Sequence, residues 1–253
     1  RTECYHDGSL NNGFLKGNLY IKGFGDPYLT SSKVMEFASK IRSFGIEKIE
    51  GDLVVDDSFF DKTREGPGWE QENSDFSYMA PIGALSVNFN SITAHIIPSK
   101  IAQEKAQVLF EPQTEYIVPE FHVLTKSKSI GTRLFVASIP FFNKNKLTIK
   151  GSVPKNKTPY TYYRKIHFPA HYAATIMKES LQKQGVSISG NLRFHSLPEN
   201  AVLIETYRSP ELWVIINELQ KYSNNFIAEQ ILKTLGAEIL GIPGSWEKGT
   251  RVL

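Results

Sequence analysis

The stretch from Gly17 to Asp56 restricts the fold more than any other part of the chain. Gly17–Lys22 (GNLYIK) has a strand pattern and stops at Gly23-Phe24-Gly25-Asp26-Pro27. Thr30-Ser31-Ser32 then offers hydroxyls for a helix N-cap. Val34, Phe37, Ala38 and Ile41 follow at i, i+3, i+4 and i+7, the spacing of one apolar helix face, and Gly45 is placed to end that helix. Glu50–Asp56 (EGDLVVD) reads as a second strand. Strand, helix, strand in that order is a βαβ-like unit, which needs a helix packed on a sheet and excludes an all-α or all-β chain.

The remainder alternates between two kinds of pattern. Thr63–Trp69 reads as a loop and Ala84–Ile97 as a strand. Gln107–Phe110, His122–Thr125, Arg133–Ser138 and Lys146–Lys150 are short β patterns with no helical period between them, as in a small all-β insert. Pro169 suits the first turn of a helix whose apolar face is Tyr172, Ala173, Ile176, Met177 and Leu181, closed by Gly185. Ser187–Phe194 is a further strand. Ser209-Pro210 opens a helix expected to bury Leu212, Trp213, Ile215, Ile216 and Leu219. Lys221–Asn225 interrupts it, and Phe226–Leu235 makes another helix ended by Gly236. Arg1–Tyr5 reads as the middle of a strand and Trp246–Leu253 as a helix cut short, so the chain is expected to be a fragment of a longer protein.

With 41% hydrophobic and 22% charged residues over 253 positions, the chain has a core-forming composition that excludes collagen-like, disordered and membrane-spanning classes. The single cysteine, Cys4, excludes a disulfide framework and a cysteine-based zinc site. A net charge of +3 argues against a nucleic-acid partner, but it conceals a division. No Asp or Glu occurs from Phe121 to Lys178, where 11 of the 29 basic residues fall; the rest of the chain is acidic on balance. A solvated basic face is one reading of that block. Docking on an anionic wall polymer or a membrane surface is the other.

Candidate chemistry is sparse. Gly23-Phe24-Gly25 lacks the third glycine and immediate helix of a dinucleotide site. His167 and His171 stand at zinc-helix spacing, but Pro169 lies between them and no glutamate adjoins either, so no metal is expected. Ser152-Val-Pro-Lys155 and Ser180-Leu-Gln-Lys183 match Ser-x-x-Lys, which on the first turn of a helix sets an amine beside a nucleophilic hydroxyl. The first contains a proline and leaves a strand; the second lies late in a helix, where the dipole opposes a developing negative charge. Tyr222-Ser223-Asn224-Asn225 is more informative. A helix cap accounts for one of its polar residues, but not for a Ser-Asn-Asn run between two apolar helices. A hydroxyl and an amide at i and i+2 can face one cleft, the first to move a proton and the second to hold a peptide amide.

Four segments together resemble the class C, low-molecular-mass penicillin-binding proteins, which are D-alanyl-D-alanine carboxypeptidases and endopeptidases. They are GNLYIKGFGDPYL, GIEKIEGDLVVDDSFFD, GPGWEQENSDFSYMAPIGALSVNFN and KYSNNFIAEQILKTLG, in the family's order. The resemblance implies an α+β multidomain protein: part of a serine β-lactamase/penicillin-binding-like core, with an inserted α/β domain that itself carries a small all-β domain. Residues 1–88 and 151–207 would form the α/β domain, 89–150 the nested β domain, and 208–253 the start of the returning core.

The resemblance implies a serine-type reaction on peptidoglycan stem peptides through an acyl-enzyme, blocked by β-lactams and needing no cofactor. Ser223 would help move a proton to the leaving amine and Asn225 would hold the substrate amide. Trp69, Glu72, Asp75 and Tyr78, in the Pro-Gly-Trp loop region, would read the peptide side chain. The family's Ser-x-x-Lys and Lys-Thr-Gly fall outside these 253 residues, and Lys233-Thr234-Leu235-Gly236 is not the latter. The chain alone is therefore expected to be inactive, in an extracytoplasmic protein of the periplasm or cell envelope. The alternative is a catalytically dead homologue, or a module that binds peptidoglycan or an anionic wall polymer.

Overall fold

The computed structural model describes residues 1–69, 74–127, 131–155 and 157–253. In chain order its strands are β1 (Thr2–His6), β2 (Ser9–Asn11), β3 (Phe14–Lys16), β4 (Leu19–Gly23), β5 (Lys48–Ile49), β6 (Leu53–Asp56), β7 (Ser91–Ile97), β8 (Gln107–Glu111), β9 (Ile117–Lys126), β10 (Arg133–Phe141), β11 (Lys144–Pro154), β12 (Tyr160–Lys165), β13 (Ser187–Ile188), β14 (Leu192–Phe194) and β15 (Val202–Tyr207). The helices are α1 (Ser31–Ser43), α2 (Pro169–Lys183), α3 (Leu212–Tyr222), α4 (Asn225–Leu240) and α5 (Trp246–Val252).

The βαβ unit forms as its periodicity requires. Thr30 caps α1 by accepting from the Lys33 amide, and β4 and β6 run parallel on either side of the helix in sequence. They lie in a five-stranded sheet ordered β14-β6-β4-β1-β15, beside a smaller sheet β13-β5-β3-β2. Val34, Phe37, Ala38 and Ile41 of α1 are buried, as are Tyr172, Ala173, Ile176, Met177 and Leu181 of α2. The β region makes two three-stranded sheets, β10-β11-β9 and β12-β7-β8. Their inward residues, among them Ile92, Val123, Val136, Leu147 and Ile149, join those of the α/β layers in one continuous apolar cluster.

Several local expectations are corrected. The strand expected over Ala84–Ile97 begins only at Ser91, because Asn88, Phe89 and Asn90 all adopt left-handed backbone, with φ of 50°, 54° and 48°. The Asn90 side chain holds this turn by donating to the Pro81 carbonyl and the Ser86 hydroxyl, both at 2.8 Å. The strand expected over Ser187–Phe194 is divided at Gly190, whose backbone packs so close to Gly51 that a Cβ would lie 2.3 Å from the Gly51 carbonyl oxygen. Gly236 does not end its helix, since α4 continues to Leu240. It is instead where α5 crosses: a Cβ there would lie 2.7 Å from the Gly249 nitrogen. The expected apolar face of α3 is also corrected, for only Ile215 is buried; Leu212, Trp213 and Ile216 are exposed, Trp213 by 66%.

Candidate active site

Ser223 stands in the turn between two helices and is exposed. It closes α3 in a left-handed conformation, φ 49° and ψ 45°, which a residue with a Cβ seldom adopts without a compensating reason. Asn224 caps α4 by accepting from the Ile227 amide at 3.2 Å. Of the three polar residues, the cap therefore uses the middle one and leaves Ser223 and Asn225 to other purposes. Asn225, at the first position of α4, donates to the Tyr78 carbonyl at 3.5 Å. That contact joins the Ser-x-Asn turn to the segment that follows the Pro-Gly-Trp loop.

The buried face of α4 fixes this turn. Phe226 packs into a second apolar cluster with Phe59, Phe60, Ile82 and Trp246. One turn on, Gln230 is buried and donates to the Gly83 carbonyl and the Ser86 hydroxyl, each at 3.0 Å. Lys233 is fully buried, donating to Asp61 at 2.7 Å and to the Thr63 carbonyl at 2.8 Å, with its ammonium 3.9 Å from the Trp246 ring centroid. Burial lowers its pKa against the opposing pull of Asp61. Thus α4 is held to segments 59–63 and 82–86 by one aromatic, one amide and one cation in register.

The loop residues divide. Glu72 lies outside the described residues. Trp69 is half-buried, its amide donating to the Gly66 carbonyl at 3.2 Å. Tyr78 is half-exposed and stacks on Phe76, with centroids 5.7 Å apart and an interplanar angle of 18°. Arg164 lies over the other partner of that stack, 4.9 Å from the Phe76 centroid. Asp75 accepts from the Ser138 amide at 2.7 Å and pairs with the Arg164 guanidinium at 3.2 Å, and its carbonyl accepts from the Lys165 amide. Its carboxylate is thus engaged by β10 and β12, while Tyr78 carries the loop to Asn225.

Sequence reasoning overlooked Phe76, Arg164, Gln230 and Lys233. A signal existed for two of them: Gln230 and Lys233 follow Phe226 at i+4 and i+7, polar residues on a face otherwise apolar. Arg164 had none, since its partners come from segments far apart in sequence. A cleft of about 900 Å³ lies elsewhere, between the end of β6 and the start of α2, with His167, His171 and His195 in its lining and neither Ser223 nor Asn225. Among the described residues no cluster of three or more His, Cys, Asp or Glu could hold a metal ion. The two internal Ser-x-x-Lys matches remain apart from the turn: Ser152 is in β11, and Ser180 is buried on α2.

The class of protein is shown by comparison with known families rather than by the turn alone. The chain belongs to the D-Ala-D-Ala carboxypeptidase 3 (S13) family, whose model matches residues 1–253. It is similar to a D-alanyl-D-alanine carboxypeptidase of Actinomadura sp. (strain R39), 29% identical over 92% of this chain and 44% of the relative. D-alanyl-D-alanine carboxypeptidase DacB of Haemophilus influenzae is 24% identical over 98% of this chain and 52% of that one. The crystal structure of penicillin binding protein 4 from Haemophilus influenzae shares the fold with a TM-score of 0.84, at 24% identity, over 99% of this chain and 55% of that one. The chain spans about half the length of these relatives.

Proposed function

We propose that this chain forms part of a serine-type D-Ala-D-Ala carboxypeptidase/endopeptidase and supplies the second wall of its active site. The observation that carries this reading is the Ser223–Asn225 turn, with Ser223 exposed in left-handed backbone and Asn225 at the Tyr78 carbonyl, in a chain matched throughout by the S13 family. In this reading a serine outside these 253 residues attacks the penultimate D-Ala carbonyl of a stem peptide. The C–N bond to the terminal D-alanine breaks, Ser223 relays the proton to the departing amine, and Asn225 holds the acyl-side amide. Water then cleaves the ester and restores the serine.

Trp69, Glu72, Asp75 and Tyr78 belong to the region that would meet the peptide side chain. The Phe76–Tyr78 stack is its best-placed part, because it leads directly to Asn225. The partners on this reading are peptidoglycan peptides and β-lactams, in an extracytoplasmic location. Among the described residues no helix is long and apolar enough to cross a membrane. The basic 121–178 segment, whose exposed face favours a binding role besides catalysis, would rest against an anionic surface of the envelope.

The test is acylation by labelled penicillin of the full-length protein that carries this segment. Rapid labelling that Ser223→Ala slows a hundredfold or more, of the order seen when a proton-transfer group is removed, supports the role given to Ser223. A full-length protein that is never labelled is the dead homologue, and undiminished labelling by the variant removes Ser223 from the mechanism.

A further inference from the structure

The outer face of the β10-β11-β9 sheet carries a second pattern, independent of the Ser-x-Asn turn. Paired residues of neighbouring strands share a face. The register sets Phe141 opposite Lys144, Ile139 opposite Lys146, Phe135 opposite Lys150 and Arg133 opposite Ser152. An apolar column therefore runs along β10 beside a lysine column along β11. Phe135, Ile139 and Phe141 are all exposed, whereas Val136, Ser138, Leu147 and Ile149 on the opposite face are buried. Among the outward residues of these strands the one acid is Glu120, opposite Thr148, and Lys146 and Lys150 both reach it at 2.7 Å. Two lysines on one carboxylate leave the face cationic, with Arg133 and Lys144 adding to the excess.

The hairpin tip sharpens the pattern. Phe142 is 85% exposed and takes a φ of 51°, a conformation that suits glycine or asparagine and is costly for a bulky side chain. It stands edge-to-face with Phe141, the ring centroids 5.0 Å apart. Two phenylalanines are thus presented to water at the end of a cationic sheet. A linear polyanion would engage the lysine column and leave these rings in water. A surface with an apolar layer beneath an anionic one would take both.

We propose that the β10–β11 hairpin docks the protein on an anionic lipid surface, with Phe141 and Phe142 entering the headgroup layer and the lysine column lying over the lipid charges. This goes beyond the catalytic reading and does not depend on it.

The experiment is sedimentation of the full-length protein that carries this segment with phosphatidylcholine vesicles, with and without phosphatidylglycerol. The expected result is binding to the anionic vesicles that salt weakens. Phe141→Ser with Phe142→Ser should lower the partition coefficient about tenfold or more, and Lys144→Gln about fivefold. Each variant is checked for an unchanged melting midpoint. Phe142→Trp, which keeps an interfacial aromatic, should retain binding and shift its emission to the blue on anionic vesicles. Lack of binding to the anionic vesicles overturns the proposal, as does equal binding to both kinds. Binding that survives the loss of both rings, with the chain retained on soluble polyglycerol phosphate, assigns the face to a wall polymer instead. Because penicillin labelling is not measured, the outcome leaves the catalytic reading where it was.

Discussion

The Lys233 ammonium donates to the Asp61 carboxylate at 2.7 Å from a position with no solvent exposure. Asp61, by contrast, retains contact with water. Removing the two partners therefore has unequal results. Asp61→Ala leaves a buried cation with the Thr63 carbonyl and the Phe60 and Trp246 rings, and should cost about 3–5 kcal/mol. Lys233→Met keeps the volume and lets Asp61 hydrate, and should cost less than half of that. Denaturant midpoints of the two variants test this order, and equal losses would contradict it.

Ser223 separates stability from activity. Glycine at this position removes the Cβ that opposes left-handed backbone, and Ser223→Gly should stabilise the fold by about 1 kcal/mol. The same change deletes the hydroxyl proposed to relay the proton, so penicillin labelling of the full-length protein should fall. A variant that loses stability, or gains it and labels normally, refutes one half of this account.

Gly236 and Gly249 mark the crossing of α4 and α5. Helix propensity alone predicts that Gly236→Ala gains about 1 kcal/mol. The close approach predicts the reverse, because the added carbon would stand 2.7 Å from the Gly249 nitrogen, a backbone atom that cannot turn aside. The clash should win, with a net loss of about 1–3 kcal/mol. A thermal melt gives the sign.

Asp75 and Arg164 latch the 74–79 loop onto β10 and β12. Arg164 is nearly buried, so Asp75→Ala leaves its guanidinium without a counter-ion, held by the Val136 and Tyr163 carbonyls and the Phe76 and Tyr162 rings. The expected result is a loss of about 2 kcal/mol and faster proteolysis within the loop. An unchanged cleavage rate would show that the Phe76 stack suffices to hold it.

His167 supplies a pH dependence. Its Nδ1 accepts from the Asn145 side chain, and burial, with Lys165 nearby, pushes its pKa from 6.5 to about 4. The unfolded chain therefore binds a proton that the folded one refuses. The stability that His167 contributes is complete above about pH 6.5 and is lost as the pH falls toward 4. His167→Gln should flatten that part of the melting-temperature profile, and an unaltered slope would remove His167 from it.

Much of the architecture was legible because an amphipathic element states its own period. The buried faces of α1 and α2 were read residue by residue, and the hairpin strands were placed within a few positions. The face of α3 was misread for the same reason: a period tells which side is apolar, not whether anything covers it. Gly236 failed differently. A glycine in a helical pattern signals an end when read locally, and only the crossing with α5 explains why none occurs. The Ser-x-Asn turn was visible as a polar interruption between apolar helices. Its supports were not, because Asp75 with Arg164 and Lys233 with Asp61 meet across long stretches of chain, and no spacing rule joins them.

The single apolar interior that the β sheets share with the α/β layers gives the exposed hairpin a mechanical meaning. An appendage with its own core, joined by a flexible linker, would act as a tether and let the rest of the protein wander. A hairpin rooted in the common interior acts as a strut. Whatever surface its tip meets, the α/β layers stand at a set height and tilt above it, and their distance from that surface becomes a property of the fold.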